Sequence, residues 1–362
     1  MHCTTDRYFF GFSRWKRGYI VSFFPKEGRN YFCTDLLSAQ KRGLDVKSEI
    51  YIWGRKSFDE VEAYAKEKGI ALFRVEDGFV RSVSLGSDLT KPYSQVIDSR
   101  GIYFDPTQPS DLEHILNTQH FDEVLLSRAK ALREYLVEKK ISKYNASPDK
   151  ALTLEGYEAG KTIVVVPGQV EDDASIVYGA DGMRNIALLQ AARERSPEAY
   201  IIYKPHPDVL AGNRKGNIPA SEALQYADTI ITDVSLDSVL LYCDEVHTMT
   251  SLVGFEALMR GKKVFTYGMP FYAGWGLTED AKVCQRRTKQ RTLDELVAAT
   301  LICYPLYIDP LKNEPCEVEV TLRSIELMKK QYNTQKLYKW RIDIRNFISR
   351  KIQLLIKILL GQ

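Results

Sequence analysis

Tyr203-Lys204-Pro205-His206-Pro207 puts a lysine and a histidine directly after an apolar run. Each proline fixes its own φ and restricts the residue before it, so an imidazole held there is aimed before any ligand arrives. With the charge of Lys204 beside it, His206 suits binding a phosphate and stabilising a departing nucleotide. A histidine that only completes a turn fits the same residues. Gln169-Val170-Glu171-Asp172-Asp173-Ala174-Ser175 also follows an apolar run and presents three adjacent carboxylates. Acidic loops are commonly just solvated, and that reading is expected to hold for at least two of the three. Val75-Glu76-Asp77-Gly78-Phe79-Val80-Arg81-Ser82 sets a carboxylate pair and an arginine after another strand-like run. Paired carboxylates can serve as nucleophile and general acid/base in glycosyl chemistry, whereas a turn in which Arg81 pairs with Glu76 or Asp77 uses the same residues.

Thr250-Ser251-Leu252-Val253-Gly254-Phe255-Glu256 reads as a helix start. Free N–H groups there favour a phosphate, and Glu256 can accept from ribose hydroxyls; equally, Thr250 or Ser251 merely caps the helix. The aromatic, glycine-rich stretch from Tyr267 to Asp280 offers Tyr272 and Trp275 as sugar contacts, a composition shared with ordinary turns. No Walker A, GxSxG, HExxH or GxGxxG pattern occurs, and Asp172-Asp173 is the nearest approach to a DxD motif. No metal is expected.

The elements that must position these residues alternate. Strand-like runs at 48–53 and 70–75 flank a helix candidate at 57–68; a strand is expected at 96–104 and helices at 109–117 and 123–140. Turn formers at 145–150 suggest a boundary, after which strands at 161–166, 199–204, 227–232, 245–249 and 263–267 alternate with helix candidates. The expected organisation is an N-terminal α/β domain over 1–150, a Rossmann-like domain over 151–316 and a helical tail over 317–362. Ligands in such sheets gather beyond the carboxyl ends of the strands, where all of the loops above begin.

A length of 362 residues suits two domains, and 44% apolar with 27% charged residues is the make-up of ordinary soluble domains. The net charge of +3 gives no support to nucleic-acid binding. Six scattered cysteines lack metal-ligand spacing and fit a reducing, cytoplasmic setting; no signal peptide or spanning helix is expected. Residues 335–362 carry Leu337, Trp340, Ile344, Phe347, Ile348, Leu355, Ile358 and Leu359 at roughly helical spacing, with seven basic residues and one acid. That pattern suits a helix lying on an anionic leaflet, and a helix packed back on the protein body suits it too.

Five strings in order, RVEDGFVRSVSLGSDL, DSRGIYFDPTQPSDLE, VPGQVEDDAS, YKPHPDV and TSLVGFEALMRGKKV, resemble the KpsC/KpsS-type capsule polysaccharide biosynthesis proteins from about Gly11 to Tyr307. The resemblance implies a retaining β-Kdo transferase that uses CMP-Kdo, with two Rossmann-like domains facing across a cleft in a GT-B-like arrangement. It places the donor-phosphate motif on His206 and Pro207, the nucleophile on Asp173, an acceptor-assisting acid on Glu76 and the nucleotide stretch on Ser251 and Glu256. KpsC-like proteins often have glycine where this sequence has Asp172, so the choice between Asp172 and Asp173 stays open. Lys204, Gln169, Asp172, Ser175, Arg81, Thr250, Tyr272 and Trp275 complete the expected substrate contacts. The implied partners are a nucleotide-sugar donor, a glycolipid or polysaccharide acceptor, the cytoplasmic face of the inner membrane and capsule-assembly proteins. No cofactor is implied beyond the donor. Alternatives are transfer of another nucleotide-activated sugar, or a non-catalytic glycolipid-binding role in capsule assembly.

Overall fold

A computed structural model describes residues 5–82, 90–141, 152–212, 214–345 and 347. The chain divides into two compact units. One holds the chain up to Ile102 and again from Leu301; the other holds the chain between Tyr103 and Thr300, apart from a short stretch outside the described residues.

The first unit is built on a seven-stranded sheet. Its strands are β1 (Arg7–Phe10), β2 (Asn30–Cys33), β3 (Glu49–Trp53), β4 (Ala71–Asp77) and β5 (Ser94–Asp98), joined late in the chain by β12 (Pro305–Ile308) and β13 (Pro315–Cys316). The order is β13-β12-β5-β4-β3-β1-β2, with β1 to β4 parallel and the remaining pairs antiparallel. Register explains how four short strands hold together. Phe9 lies opposite both Phe32 and Tyr51, Tyr51 lies opposite Phe73, and the rings stack at 5.0–5.1 Å across the sheet. Each such pair contributes about 0.5–1.5 kcal/mol beyond the area it buries. Because β1 has β2 on one side and β3 on the other, the strand order reverses between β1 and β3, the kind of position where an open α/β sheet leaves a crevice.

The second unit has six parallel strands: β6 (Ile163–Pro167), β7 (Tyr200–Lys204), β8 (Thr229–Ile230), β9 (Glu245–Thr248), β10 (Lys263–Thr266) and β11 (Glu279–Asp280). Their order is β11-β10-β9-β6-β7-β8. The chain runs outward from β6 through β7 and β8, then returns to the other side of β6. This is the doubly wound order of dinucleotide-binding sheets, with its reversal between β6 and β9. The apolar runs at 163–166 and 200–203 are buried on both faces, as the middle of a parallel sheet requires.

Three expectations about organisation change. The boundary expected near residue 150 falls at 102, because the described residues 103–141 pack with the second unit: Arg133, on the helix Glu123–Glu138, pairs with Asp294 at 2.8 Å. Residues 301–316, expected in the second domain, supply β12 and β13 to the first sheet. The strand expected over 96–104 stops at Asp98, whose carboxylate accepts the N–H groups of Arg100 and Gly101 and turns the chain.

The tail begins on the protein body. Leu322 and Ile325 of the helix Val318–Thr334 are fully buried, and the Thr321 hydroxyl donates to Ile308 O. Residues 336–345 are again helical, while Ile348, Leu355, Ile358 and Leu359 lie outside the described residues, as do positions 83–89 of the first string. Among the described residues no helix is long and apolar enough to cross a membrane.

Candidate active site

In the second unit the loops after β6, β7 and β9 form one hydrogen-bonded assembly at the reversal of strand order. Gly168 is the residue that lets the first two meet. A Cβ there would stand 2.8 Å from the Tyr203 hydroxyl oxygen, closer than side chains tolerate, and a tight 3.2 Å from the His206 nitrogen. Its N–H donates to Lys204 O at 2.8 Å. Gln169 then crosses to the β9 loop. Its Oε1 accepts from the Thr248 hydroxyl and from the N–H groups of Met249 and Thr250, while its Nε2 donates to Thr250 Oγ1 at 3.0 Å. Thr250 donates onward to Ser175 Oγ at 3.3 Å, and Ser175 donates from Oγ (2.8 Å) and N (3.0 Å) to Asp173 Oδ1. The chain of donors therefore ends on one oxygen of an exposed carboxylate that also caps the helix Ala174–Gly179.

This arrangement separates the three acidic residues of the loop. Glu171 accepts from Asn185 N and pairs with Arg184. Asp172 pairs with Arg214 at 3.1 Å. Asp173 has no cationic partner among the described residues, and its Oδ2 accepts no hydrogen bond from them.

His206 caps the short helix Pro207–Leu210: its Nδ1 accepts the Asp208 N–H at 3.1 Å. In the neutral ring that bond assigns the hydrogen to Nε2, which makes Nε2 a donor, as a phosphate partner must be. Pro207, at the first position of that helix, has no N–H to leave unsatisfied. Lys204 donates to Val234 O at 2.6 Å, and burial lowers its pKa while Asp233 pulls it back up. Ser251 caps the helix Leu252–Met259 by accepting from Val253 N, so both hydroxyls of the β9 loop have structural partners. Glu256 is buried within that helix.

Tyr272 and Trp275 are not sugar contacts. Both are fully buried; the Tyr272 hydroxyl donates to Ser251 O at 2.5 Å and Trp275 Nε1 donates to Phe271 O at 2.9 Å. Tyr272 presses on Gly254, where a Cβ would overlap its hydroxyl, and so clamps the first turn of the Ser251 helix. Arg81 is corrected in the same way. It is 1% exposed and its Nε donates to Asp77 Oδ2 at 2.6 Å, the turn reading of that segment.

In the first unit Glu76 and Asp77 end β4. Glu76 Oε1 accepts the Asp77 N–H, and Glu76 Oε2 lies over the turn at Gly54, whose φ of +55° and missing Cβ leave the room. Asp77 also accepts from Gln95 Nε2 at 2.9 Å. The structure thus places Asp173, His206, Lys204, Pro207, Gln169, Asp172, Ser175, Thr250, Ser251 and Glu256 in the second unit, and Glu76 and Arg81 in the first.

One position escaped the sequence reading. Asn185 is buried and ties the β6 loop in place: its Oδ1 accepts from Gln169 N, and its Nδ2 donates to the carbonyls of Gln169 and Gly216. An asparagine at a helix start carries no local sign of that reach.

Residues 48–307 match the family model described as capsule polysaccharide biosynthesis protein. The chain belongs to that family. It is 45% identical over 333 residues to the capsule polysaccharide modification protein LipA of Neisseria meningitidis serogroup A, covering 91% of this chain and 46% of LipA. It is 38% identical to the lipopolysaccharide-processing protein LpsZ of Rhizobium meliloti, covering 88% of this chain and 74% of LpsZ. The chain therefore spans about half the length of the LipA relative. Among solved structures it is similar to Thermosulfurimonas dismutans KpsC described as a beta Kdo 2,7 transferase, with a TM-score of 0.72, 38% identity and coverage of 90% of this chain and 99% of that one. KpsC of the same organism described as a beta Kdo 2,4 transferase gives a TM-score of 0.75 at 31% identity, with the same coverages.

Proposed function

We propose that this protein is a retaining glycosyltransferase that moves β-Kdo from CMP-Kdo to a glycolipid or polysaccharide acceptor in capsule or lipopolysaccharide biosynthesis. The observation that carries the reading is the run of hydrogen bonds from Gln169 through Thr250 and Ser175 to Asp173, set at the reversal of a nucleotide-binding strand order next to the His206 loop. Similarity to two Kdo transferases supports the sugar. A GT-B-like use of two Rossmann-like domains, the second taking the donor and the first contributing Glu76, is part of the proposal.

In the proposed mechanism an Asp173 oxygen forms a bond to the anomeric carbon as the bond from that carbon to the CMP phosphate oxygen breaks. Lys204 and the His206 Nε2–H stabilise the departing phosphate. The acceptor hydroxyl then bonds to the same carbon, the Asp173 ester bond breaks, and Glu76 takes the hydroxyl proton. Two inversions leave the configuration unchanged. Ser175 holds Asp173 Oδ1 and so orients the attacking carboxylate. The chemistry assigns no role to a metal. Trapping a Kdo–protein adduct on the wild type tests the scheme, and an unchanged transfer rate in Asp173→Ala would refute it.

The reading also takes the protein as cytoplasmic and peripheral on the inner membrane, where it would meet capsule-assembly partners. Support comes from Leu337 and Trp340, 61% and 60% exposed, on a helical stretch that also carries Lys336, Lys339, Arg341 and Arg345.

A further inference from the structure

The end of the described chain sorts its side chains between two faces. Gln335 is extended and ends the helix Val318–Thr334, and residues 336–345 form a second helix. In one unbroken helix residues 332 and 343 would stand roughly 16 Å apart. Instead the Tyr332 hydroxyl donates to Asp343 Oδ1 at 2.7 Å, and the Lys339 ammonium lies 5.6 Å from the centre of the Tyr332 ring, so the second helix folds back beside the first. Both helices are tied to the segment that leads into β5. Arg345 donates to the hydroxyl of buried Thr90 at 3.2 Å, and the Tyr93 hydroxyl donates to Met328 Sδ at 3.9 Å. Tyr93 N in turn donates to Arg81 O, in the turn that follows β4.

Helical geometry puts Tyr338, Ile342 and Arg345 on the inner side, and the first two are half-buried. Leu337, Trp340, Ile344 and Phe347 fall on one outer stripe and are all exposed, with Lys336 and Arg341 along its two borders. Asp343, the one acid of this helix, is held off the stripe by Tyr332. Single exposed apolar side chains are ordinary, whereas four on one stripe bordered by cations match a surface that is anionic above and apolar below.

We infer that this stripe docks on an anionic bilayer as a platform fixed to the first unit, not as a tether that peels away from it. Leu337, Trp340, Ile344 and Phe347 sink to the boundary between headgroups and acyl chains, while Lys336 and Arg341 meet the lipid phosphates. Packing on the body and lying on a leaflet are then the work of two faces of one helix. Residues 348–362 add three basic residues and no acid, which keeps the sign of the charge. A second copy of the chain would bring the same cations to the stripe and is disfavoured as its occupant. Through Arg345, Thr90, Tyr93 and Arg81, docking fixes how the end of β4 that carries Glu76 is turned relative to the lipid.

The inference rests on the proposed membrane placement, which it sharpens to one face and one orientation, and its test is separate from that of the transferase reading. The full chain is sedimented with vesicles of phosphatidylcholine alone, or of phosphatidylcholine and phosphatidylglycerol in equal parts. Wild type is expected to bind the anionic vesicles at least about 10-fold more tightly, since each cation near the surface is worth about fivefold. The double variant Leu337→Ser with Trp340→Ser is expected to lose about 10- to 100-fold in binding. Lys336→Glu with Arg341→Glu is expected to lose at least about 10-fold on anionic vesicles only. Both double variants are expected to melt at the wild-type temperature and to release CMP from CMP-Kdo into water at the wild-type rate. An apolar carbene probe dissolved in the bilayer and activated by light is expected to label Leu337, Trp340, Ile344 and Phe347 and to spare Tyr338 and Ile342. Label on Tyr338 and Ile342 as well overturns the fixed platform. No binding by wild type, or binding unchanged in Leu337→Ser with Trp340→Ser, overturns the docking site. Dimers that form without lipid and dissolve in that variant overturn the choice of a bilayer. Absence of CMP release from wild type defeats the transferase reading alone.

Discussion

Each unit reverses its strand order once beside its earliest strand, and the two reversals are furnished differently. Between β6 and β9 the side chains are spent on one another: Gln169 makes four hydrogen bonds to the β9 loop, Asn185 three to the loops beside it, and the chain of donors ends on Asp173. Between β1 and β3 Lys56 ties the loops through Gly11 O, and Lys16 and Tyr19 make no side-chain hydrogen bond among the described residues. A network satisfied from within fixes the geometry of its reacting groups before a ligand binds, which suits covalent chemistry. Groups left unmet in the protein are matched to what the ligand brings, which suits selection of a substrate.

The comparison is broken most severely by removing the end of the donor chain. Asp173→Asn keeps an oxygen for the helix cap but not the proposed nucleophile, so transfer is expected to drop by at least about 10³-fold with little change in melting temperature. A rate near wild type would transfer the role to another carboxylate. His206→Ala is expected to cost on the order of 10²-fold in kcat/KM, read as slower CMP release. Gln169→Leu removes one acceptor shared by three donors, and an unfolding titration should show a loss of about 1–3 kcal/mol. Tyr272→Phe loses the hydroxyl and its bond to Ser251 O; about 1 kcal/mol of stability is expected to go, with KM for the donor unchanged. A raised donor KM there would restore Tyr272 to the substrate contacts.

A pH effect on stability sharpens the contrast from outside both sites. His247 is fully buried on β9 against Phe265; its Nδ1 is 3.0 Å from the Tyr267 hydroxyl, and its Nε2 lies 3.5 Å from Glu245 without a hydrogen bond. Burial, with Arg195 and Lys263 adding to it, lowers its pKa to about 4. The unfolded chain therefore binds more protons between about pH 6.5 and 4, so this contribution is complete above that window and is lost as pH falls through it. Its ceiling is on the order of 3 kcal/mol. Urea midpoints measured from pH 7 to 4 should fall for wild type and fall less for His247→Phe.

The centre of the second unit was legible because β6 and β7 are apolar runs, buried on both faces, each followed by a loop rich in chemistry. The first unit was harder. β1 and β2 are four residues each, RYFF and NYFC, too short for alternation to show, and only their register reveals the aromatic ladder that makes them strands. Trp275 and Tyr272 misled because a buried turn and a sugar platform draw on the same residues; what separates them is whether the polar atom faces a backbone carbonyl. The late return of the chain through β12 had no local sign, since its antiparallel pairing with β5, Pro305 opposite Val96, is decided by residues far earlier in the chain.

The central claim is that Asp173, placed by Ser175 and Thr250, is the residue that bonds to the sugar. Wild-type protein incubated with CMP-Kdo, quenched in acid and mapped by peptide mass spectrometry should carry one Kdo on Asp173 and lose it when an acceptor is added before quenching. A label on Asp172, or full transfer by Asp173→Asn, would contradict the account.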